Sequence, residues 1–136
     1  MTDVADVPVA ILCGGFGTRL GSLAEAVPKP LVPILGRPFL EHQVDLLAGQ
    51  GFRRFVLLTG HRGDLVEAHF RSYGGGGLTF LFSREERPEG TGGALVRARH
   101  LLGDAFIVLN GDSYLAVDYR ALLARLLASP PGVAGV

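Results

Sequence analysis

The sequence of 136 residues is poor in several features that mark other classes of protein. Its single cysteine, Cys13, has no partner for an internal disulfide and no second thiol for a cysteine-based metal site, which favours a reducing, cytoplasmic setting. The 13 basic and 13 acidic side chains cancel, so the excess positive charge of nucleic-acid-binding proteins is missing. No apolar run approaches the roughly 18 residues of a membrane span, and the N-terminus lacks the basic start of a signal peptide. We expect a cytoplasmic protein with no membrane or nucleic-acid polymer as partner.

Three common catalytic motifs are also missing. The chain has no Gly-Lys pair, which excludes the phosphate-binding loop of P-loop NTPases. A dinucleotide fingerprint starting at Gly15 has Gly17 in place, but Leu20 stands where the third glycine belongs. The sequence shows no Ser-His-Asp or Cys-His arrangement of the kind that nucleophilic catalysis uses.

Glycine, by contrast, is abundant: 20 glycines and 8 prolines make up about a fifth of the chain, against a usual share of roughly 12%. Because 48% of the residues are hydrophobic, disorder does not explain this composition. The glycines therefore need a structural or ligand-binding reason.

Short apolar runs alternate with segments of helical periodicity, which predicts an α/β fold: a three-layer, Rossmann-like, mostly parallel sheet with helices on both faces. The four-glycine run at 74–77 is interpreted as a flexible, hairpin-like connection, and residues 133–136 as the opening of a fifth strand. In the first helix the apolar stripe is expected to exclude Glu41, Gln43 and Asp45. The predicted strands are 7–13, 54–59, 78–82 and 105–109, and the predicted helices are 38–49, 64–73, 92–102 and 118–128.

Ligands of such sheets bind at the carboxyl ends of the strands, which directs attention to the segment 13–20 after the first strand. Its glycines let the backbone turn tightly with its N–H groups within reach of an anion, and Arg19 adds a charged fork suited to phosphate. A tight strand-to-helix turn without ligand is the structural alternative.

Lys29 is the only lysine of the chain, and all other basic residues are arginines. It stands between Pro28 and Pro30, which restrict its backbone and suit contact of a compact ammonium with one phosphoryl group. An ordinary loop lysine is the alternative.

Asp112 follows the fourth predicted strand in the sequence Asn110-Gly111-Asp112. A single carboxylate at such a place can hold Mg²⁺ while substrate phosphates supply other ligands, although Asn-Gly-Asp is equally good turn chemistry.

The segment 84–95 leads from the third strand into a helix, with Gly90, Gly92 and Gly93 leaving backbone groups open to a nucleobase or an anion. Its acidic residues are interpreted as solvated surface: Glu85, Glu86 and Glu89. The histidines His42, His69 and His100 lack metal-ligand spacing, and Cys13 is interpreted as an inert, buried residue.

Together these segments resemble the sugar-1-phosphate nucleotidyltransferase family, whose hallmark is G-G-x-G-T-R-L followed by P-K-P-L-x-P-x-x-G-x-P. Both motifs are present, at 14–20 and 28–38, and the resemblance continues through Gly90-Thr91-Gly92-Gly93-Ala94 and Asn110-Gly111-Asp112. Within the family, these motifs are most similar to those of guanylyltransferases acting on heptose 1-phosphate, then to those of guanylyltransferases acting on mannose 1-phosphate. The motifs of uridylyltransferases are also similar. Two departures are Gly21-Ser22-Leu23 after the first motif and Glu89 before the GTGG sequence.

The resemblance implies Mg²⁺-dependent transfer of a nucleoside monophosphate, GMP from GTP, to a heptose or hexose 1-phosphate with release of pyrophosphate. That reaction belongs to the synthesis of sugar nucleotides for cell-surface polysaccharide. Arg19, Lys29 and Asp112 are the implied catalytic residues, and Asp112 the implied metal ligand. The implied nucleotide-binding residues are Leu12, Cys13, Gly14, Gly15, Gly17, Thr18, Gly90, Thr91, Gly92, Asn110 and Gly111.

Family members take a second metal-binding acid and most of the sugar pocket from sequence beyond the position where this chain stops. We therefore expect residues 1–136 to be the N-terminal, nucleotide-binding part of a longer domain. A nucleotide-binding module without turnover, a regulatory domain that keeps the fold, and uridylyl or thymidylyl transfer remain alternatives, and a homo-oligomer stays open.

Overall fold

The computed structural model describes residues 2–14, 27–74 and 76–132. Its main sheet has four parallel strands in the order β5-β4-β1-β6: β1 (Pro8–Leu12), β4 (Arg54–Thr59), β5 (Thr79–Arg84) and β6 (Ile107–Asn110). The helices are α1 (Phe39–Gly49), α2 (Gly63–Arg71), α3 (Gly90–Leu102) and α4 (Tyr119–Leu127). All the predicted strands and helices within these ranges are confirmed, with ends shifted by a few residues.

The sheet is covered on both faces, as predicted. Alternate residues of β1 point to opposite sides: Val9 and Ile11 join the larger apolar cluster, and Ala10 joins the smaller one. The larger cluster takes its helical members from α1, α2 and α4, and the smaller from α3. The result is a three-layer α/β fold.

Helix α1 supplies much of the core. Leu40, Val44 and Leu47 are completely buried, and each contributes about 1.5–3 kcal/mol through the apolar surface removed from water. The expectation that Glu41 and Gln43 avoid this face is wrong, because both are buried. Glu41 accepts from Arg37 and contacts the His69 ring, and Gln43 donates to two backbone carbonyls, so these groups have partners inside the fold, whereas Oε1 of Gln43 has none among the described residues.

The interpretation of 74–77 as hairpin-like is wrong as well. The strands on either side of this part of the chain, β4 and β5, are parallel, and α2 is the crossover between them. The glycine run therefore joins a helix to a strand, as parallel pairing requires. Residues 133–136, predicted as the start of a strand, lie outside the described residues.

Two small elements between β1 and α1 were not predicted. Lys29–Leu31 forms a 3₁₀ helix, and β2 (Pro33–Ile34) pairs antiparallel with β3 (Arg37–Pro38). Leu35 and Gly36, the two residues between these strands, both have positive φ, at 53° and 77°. This combination is that of a tight hairpin turn.

Within the described ranges, no helix is both long and apolar enough to span a membrane.

Candidate active site

The chain runs outward from β1 through β4 to β5, then crosses back to place β6 on the other side of β1. The order of the strands thus changes direction at β1, and such a change opens a crevice at the carboxyl ends of neighbouring strands in parallel sheets. A cavity of about 320 Å³ lies at this place. It brings together residues that are far apart in the sequence: Leu12, Cys13, Gly14, Lys29, Pro30, Leu58, Glu85, Pro88, Gly90, Thr91, Ala94, Asn110, Gly111 and Asp112.

Gly111 allows the two strand ends to meet closely. Its N–H donates to the carbonyl oxygen of Leu12 at 2.9 Å. A Cβ at position 111 would overlap that same oxygen and would also meet the Cys13 sulfur at 3.5 Å. The approach therefore requires glycine, which explains one member of the Asn-Gly-Asp sequence by packing.

Lys29 and Asp112 form an ion pair at the mouth of the crevice, with Nζ 3.1 Å from Oδ2. The backbone of Lys29 is held in the 3₁₀ turn between the buried residues Pro28 and Pro30. The hydrogen bond from Lys29 holds the pKa of the Asp112 carboxyl below its usual value, and the hydroxyl of Ser113 lowers it further by donating to Oδ1 at 3.1 Å. Asp112 is therefore a carboxylate at neutral pH.

Gln43 reaches this turn from helix α1, and the sequence interpretation missed it. Its side-chain N–H groups donate to the carbonyl oxygens of Asn110 at 2.8 Å and Ser113 at 2.7 Å. A signal was present: position 43 follows Leu40 by three residues and precedes Leu47 by four, which places it on the buried face at helical spacing.

Glu85, interpreted as solvated surface, lines the cavity instead and is only half exposed. Its Oε2 accepts from the Glu89 N–H at 3.1 Å, and its own N–H donates to Thr59 at 2.9 Å. A Cβ on Gly14 would lie 2.7 Å from Oε1, so this oxygen stands directly beside the backbone after β1. Its position immediately after β5, at the carboxyl edge of the sheet, is the signal that could have identified it.

The first turn of α3 forms another part of the cavity wall. Gly90 and Thr91 line it, and no side chain caps the helix at Glu89. The carboxylate of Glu89 instead pairs with Arg97. Backbone N–H groups at the start of α3 thus remain available to an acceptor or an anion. Gly92, two residues after Gly90 in the same turn, is exposed and is not among the residues that line the cavity.

The cavity is lined by many of the predicted site residues: Leu12, Cys13, Gly14, Lys29, Gly90, Thr91, Asn110, Gly111 and Asp112. Burial raises the pKa of the Cys13 thiol strongly, so Cys13 stays protonated and acts as an apolar wall. The remaining positions of the glycine-rich segment fall outside the described residues: Gly15, Gly17, Thr18 and Arg19.

Asp112 is the residue whose environment fits a divalent cation. Its carboxylate is half exposed and lines the cavity. Within the ranges that the structure describes, no group of three or more His, Cys, Asp or Glu side chains could form an all-protein site. Mg²⁺ is typically held by one or two carboxylates together with substrate phosphates, so the donor set present suits Mg²⁺ bound along with a nucleotide.

Comparison with known proteins agrees with this architecture. Residues 9–132 match the family model described as nucleotidyl transferase. The chain belongs to this nucleotidyl transferase family.

Three relatives illustrate the similarity. The D-glycero-alpha-D-manno-heptose 1-phosphate guanylyltransferase of Campylobacter jejuni is 36% identical over 112 residues, 82% of this chain and 50% of the relative. The mannose-1-phosphate guanylyltransferase of Mycobacterium tuberculosis is 37% identical over 118 residues, 86% of this chain and 33% of the relative. The crystal structure of HddC from Yersinia pseudotuberculosis complexed with GMP-PN superposes with a TM-score of 0.77 at 35% identity, covering 90% of this chain and 55% of that one. This nucleotidyl transferase chain thus spans half or less of the length of these two curated relatives.

Proposed function

We propose that this chain is the N-terminal, nucleotide-binding part, residues 1–136, of an enzyme that transfers GMP from GTP to a heptose or hexose 1-phosphate. The observation that carries the proposal is the cavity between β1 and β6, where Lys29 and Asp112 stand side by side. An ammonium and a carboxylate at one crevice can neutralise phosphate charge and hold a divalent cation at the same place. Both substrates are phosphorylated metabolites, which suits a cytoplasmic enzyme.

The proposed reaction is an in-line displacement. A phosphate oxygen of the sugar 1-phosphate forms a bond to the α-phosphorus of GTP, while the bond from that phosphorus to the α,β-bridging oxygen breaks. The products are a GDP-sugar and pyrophosphate. Catalysis of this kind consists mainly of positioning and charge stabilisation, because the protein need not supply a covalent nucleophile.

Lys29 places its charge at the end of the two strands, where the transferred phosphoryl group would lie, and Pro28 and Pro30 reduce its freedom to move away. Asp112 would hold Mg²⁺, which when bound neutralises charge on the nucleotide phosphates. Arg19 is proposed to contact the departing pyrophosphate, because its guanidinium suits a phosphate group. Backbone N–H groups after β1 and at the start of α3 would donate hydrogen bonds to the rest of the nucleotide.

Glu85 supports guanine as the base. Guanine presents two neighbouring donors on its Watson–Crick edge, the N1–H and the 2-amino group, whereas uracil and thymine present one. A carboxylate is an acceptor with two oxygens, and Glu85 lines the same cavity as Pro88 and Gly90. Relatives named as guanylyltransferases and the GMP-PN complex point the same way.

Pyrophosphate release tests the proposal. GTP, UTP, dTTP, CTP and ATP would each be offered with Mg²⁺ and a panel of heptose, mannose, glucose and N-acetylhexosamine 1-phosphates. We expect turnover with GTP and a heptose or hexose 1-phosphate well above that of other pairs. Fastest turnover with UTP or dTTP would overturn guanylyl transfer and support the uridylyl or thymidylyl alternative.

A nucleotide-binding module without turnover is the second candidate. It is favoured by the absence, among the described residues, of a group of three potential metal ligands around Asp112, the carboxylate that pairs with Lys29. The same panel separates the two, because a binding module would retain nucleotide in calorimetry while releasing no pyrophosphate with any pair.

A further inference from the structure

Gln43 holds both ends of the turn that carries Asp112. Its two amide hydrogens are shared between the carbonyl oxygens of Asn110, just before the turn, and Ser113, just after it. Two carbonyl acceptors require a donor group, so the NH₂ end of the amide must face the turn. The side chain is almost completely buried on α1, which is part of the packed core.

We propose that Gln43 is a positioning residue for Asp112, and this inference rests on the proposed transfer reaction. Gln43 is not among the residues that line the cavity. It fixes the peptide units on each side of Gly111 and Asp112, so that the carboxylate stays at the crevice beside Lys29. Reaction rates of positioned groups are sensitive to displacements of about 1 Å, and residues that orient metal ligands commonly change affinity or activity by about 10–100-fold.

The other end of the amide indicates that stability alone does not explain a glutamine here. Among the described residues, Oε1 of Gln43 has no hydrogen-bond partner although it is buried. An unpaired buried acceptor is unfavourable, and a core position can hold an apolar side chain of the same length without that penalty. What the amide supplies, and an apolar side chain would not, is the pair of donors to the Asp112 turn.

Helix α1 also provides a matched control. Gln50, at its end, likewise bridges backbone groups: Nε2 donates to Val117 at 2.7 Å and Oε1 accepts from Tyr119 at 2.7 Å. Gln43→Met and Gln50→Met therefore each remove two glutamine-to-backbone hydrogen bonds from one helix. Only the first removes contacts to the turn of Asp112.

Hydrogen exchange tests the positioning without any turnover. In Gln43→Met, the backbone amides of 111–113 should exchange at least about tenfold faster than in the wild type, because the turn loses both hydrogen bonds from Gln43. In Gln50→Met these amides should keep their wild-type rates. Equal exchange of 111–113 in Gln43→Met and the wild type would refute the proposal, whether or not the protein proves to be a transferase.

A double-mutant cycle with Asp112→Asn tests how the effect reaches the chemistry. Gln43→Met alone should lower kcat by about 10–100-fold, with the KM for GTP changed less than about threefold. In the Asp112→Asn background the same change should cost less than about threefold, because a residue acting through Asp112 loses its effect once the carboxylate is gone. An equal loss in both backgrounds would overturn the proposal. If the wild type releases no pyrophosphate, the proposed function fails, and hydrogen exchange with apparent Mg²⁺ affinity in calorimetry still decides the role of Gln43.

Discussion

Lys29 and Asp112 are 83 positions apart in the chain, yet their side chains form a hydrogen-bonded ion pair at 3.1 Å. The topology of the sheet explains why these two side chains are in contact. Because β6 pairs with β1 rather than with β5, the turn after β6 lies beside the segment that follows β1. The two charges thus meet where the crevice of the sheet opens.

The charge of Lys29 should be required for turnover. Lys29→Met keeps most of the length of the side chain and removes the ammonium, so we expect kcat to fall by on the order of 10²–10³-fold, as for the loss of one preorganised charge-stabilising donor. Thermal unfolding should change little, because the pair is partly exposed and solvent screens its attraction. Arg99→Met, on the exposed side of α3, is the matched control and should retain wild-type rates. Near wild-type turnover in Lys29→Met would refute the assigned role.

The ion pair also makes a prediction about pH. The Lys29 ammonium lowers the folded-state pKa of Asp112, so the pair contributes stability above the unfolded pKa, about 3.9, and loses it as pH falls through the lower folded value. Titration of the Asp112 carboxyl carbon by NMR should give a midpoint below the ordinary aspartate value. In Lys29→Met the midpoint should move upward. An unchanged midpoint in that variant would mean that the ammonium is not the main cause.

Sequence reasoning located much of this architecture because its signals are local. The run before Gly14 predicts a buried strand by composition, and the Pro-Lys-Pro sequence marks Lys29 as a restrained cation. Rules for parallel sheets then place the ends of these segments along one edge. No local pattern predicts the strand order, which puts β6 next to β1 and brings Asp112 to Lys29.

Two polar residues were misjudged because their contacts in the fold do not follow from the sequence pattern. The expectation that Gln43 lies off the apolar stripe of α1, and Glu85 on solvated surface, follows from the average exposure of glutamine and glutamate. In the structure, Gln43 instead donates to the turn after β6, and Glu85 accepts from the backbone at the start of α3. The glycine run at 74–77 was misjudged for a related reason, because a local turn signal does not reveal whether the next strand runs parallel or antiparallel.

Gly111 should be intolerant of a side chain. Gly111→Ala would place Cβ against the carbonyl oxygen of Leu12, which is backbone and has little room to move, so we expect about 2 kcal/mol lower unfolding free energy. Gly49→Ala is the contrasting variant, because nothing lies within 4 Å of its Cβ position at the end of α1. That change should stabilise the protein by about 0.5 kcal/mol. Urea unfolding of both variants measures the difference, and equal effects would contradict the close packing at Gly111.

The hairpin turn between β2 and β3 offers a stabilising substitution. Leu35 has a φ of 53°, a left-handed conformation that is strained for leucine. Its side chain is 91% exposed, so burial of apolar surface does not offset this strain. Leu35→Asn should raise the unfolding free energy by about 1 kcal/mol, because Asn-Gly suits a turn with two positive φ angles. Gly36→Ala should lower it by a similar amount, about 1 kcal/mol, since φ at Gly36 is 77°. Calorimetric melting would reveal the opposite signs, and a drop in Leu35→Asn would count against the turn geometry.

Glu85 should govern the choice of base. Glu85→Gln keeps the shape of the side chain but replaces one carboxylate oxygen by a donor, which would face a hydrogen of guanine instead of accepting it. We expect the ratio of kcat/KM for GTP to that for ATP to fall by on the order of tenfold to a hundredfold, mainly through weaker use of GTP. The neighbouring carboxylate of Glu86, which is exposed and is not among the lining residues of the 320 Å³ cavity, provides the control Glu86→Gln with an unchanged ratio. If the ratio stays at the wild-type value in Glu85→Gln, base recognition must be assigned to the backbone groups at the start of α3 instead. A ratio that falls in both variants would instead indicate a general effect of negative charge near the cavity, which raising the ionic strength should then reproduce in the wild type.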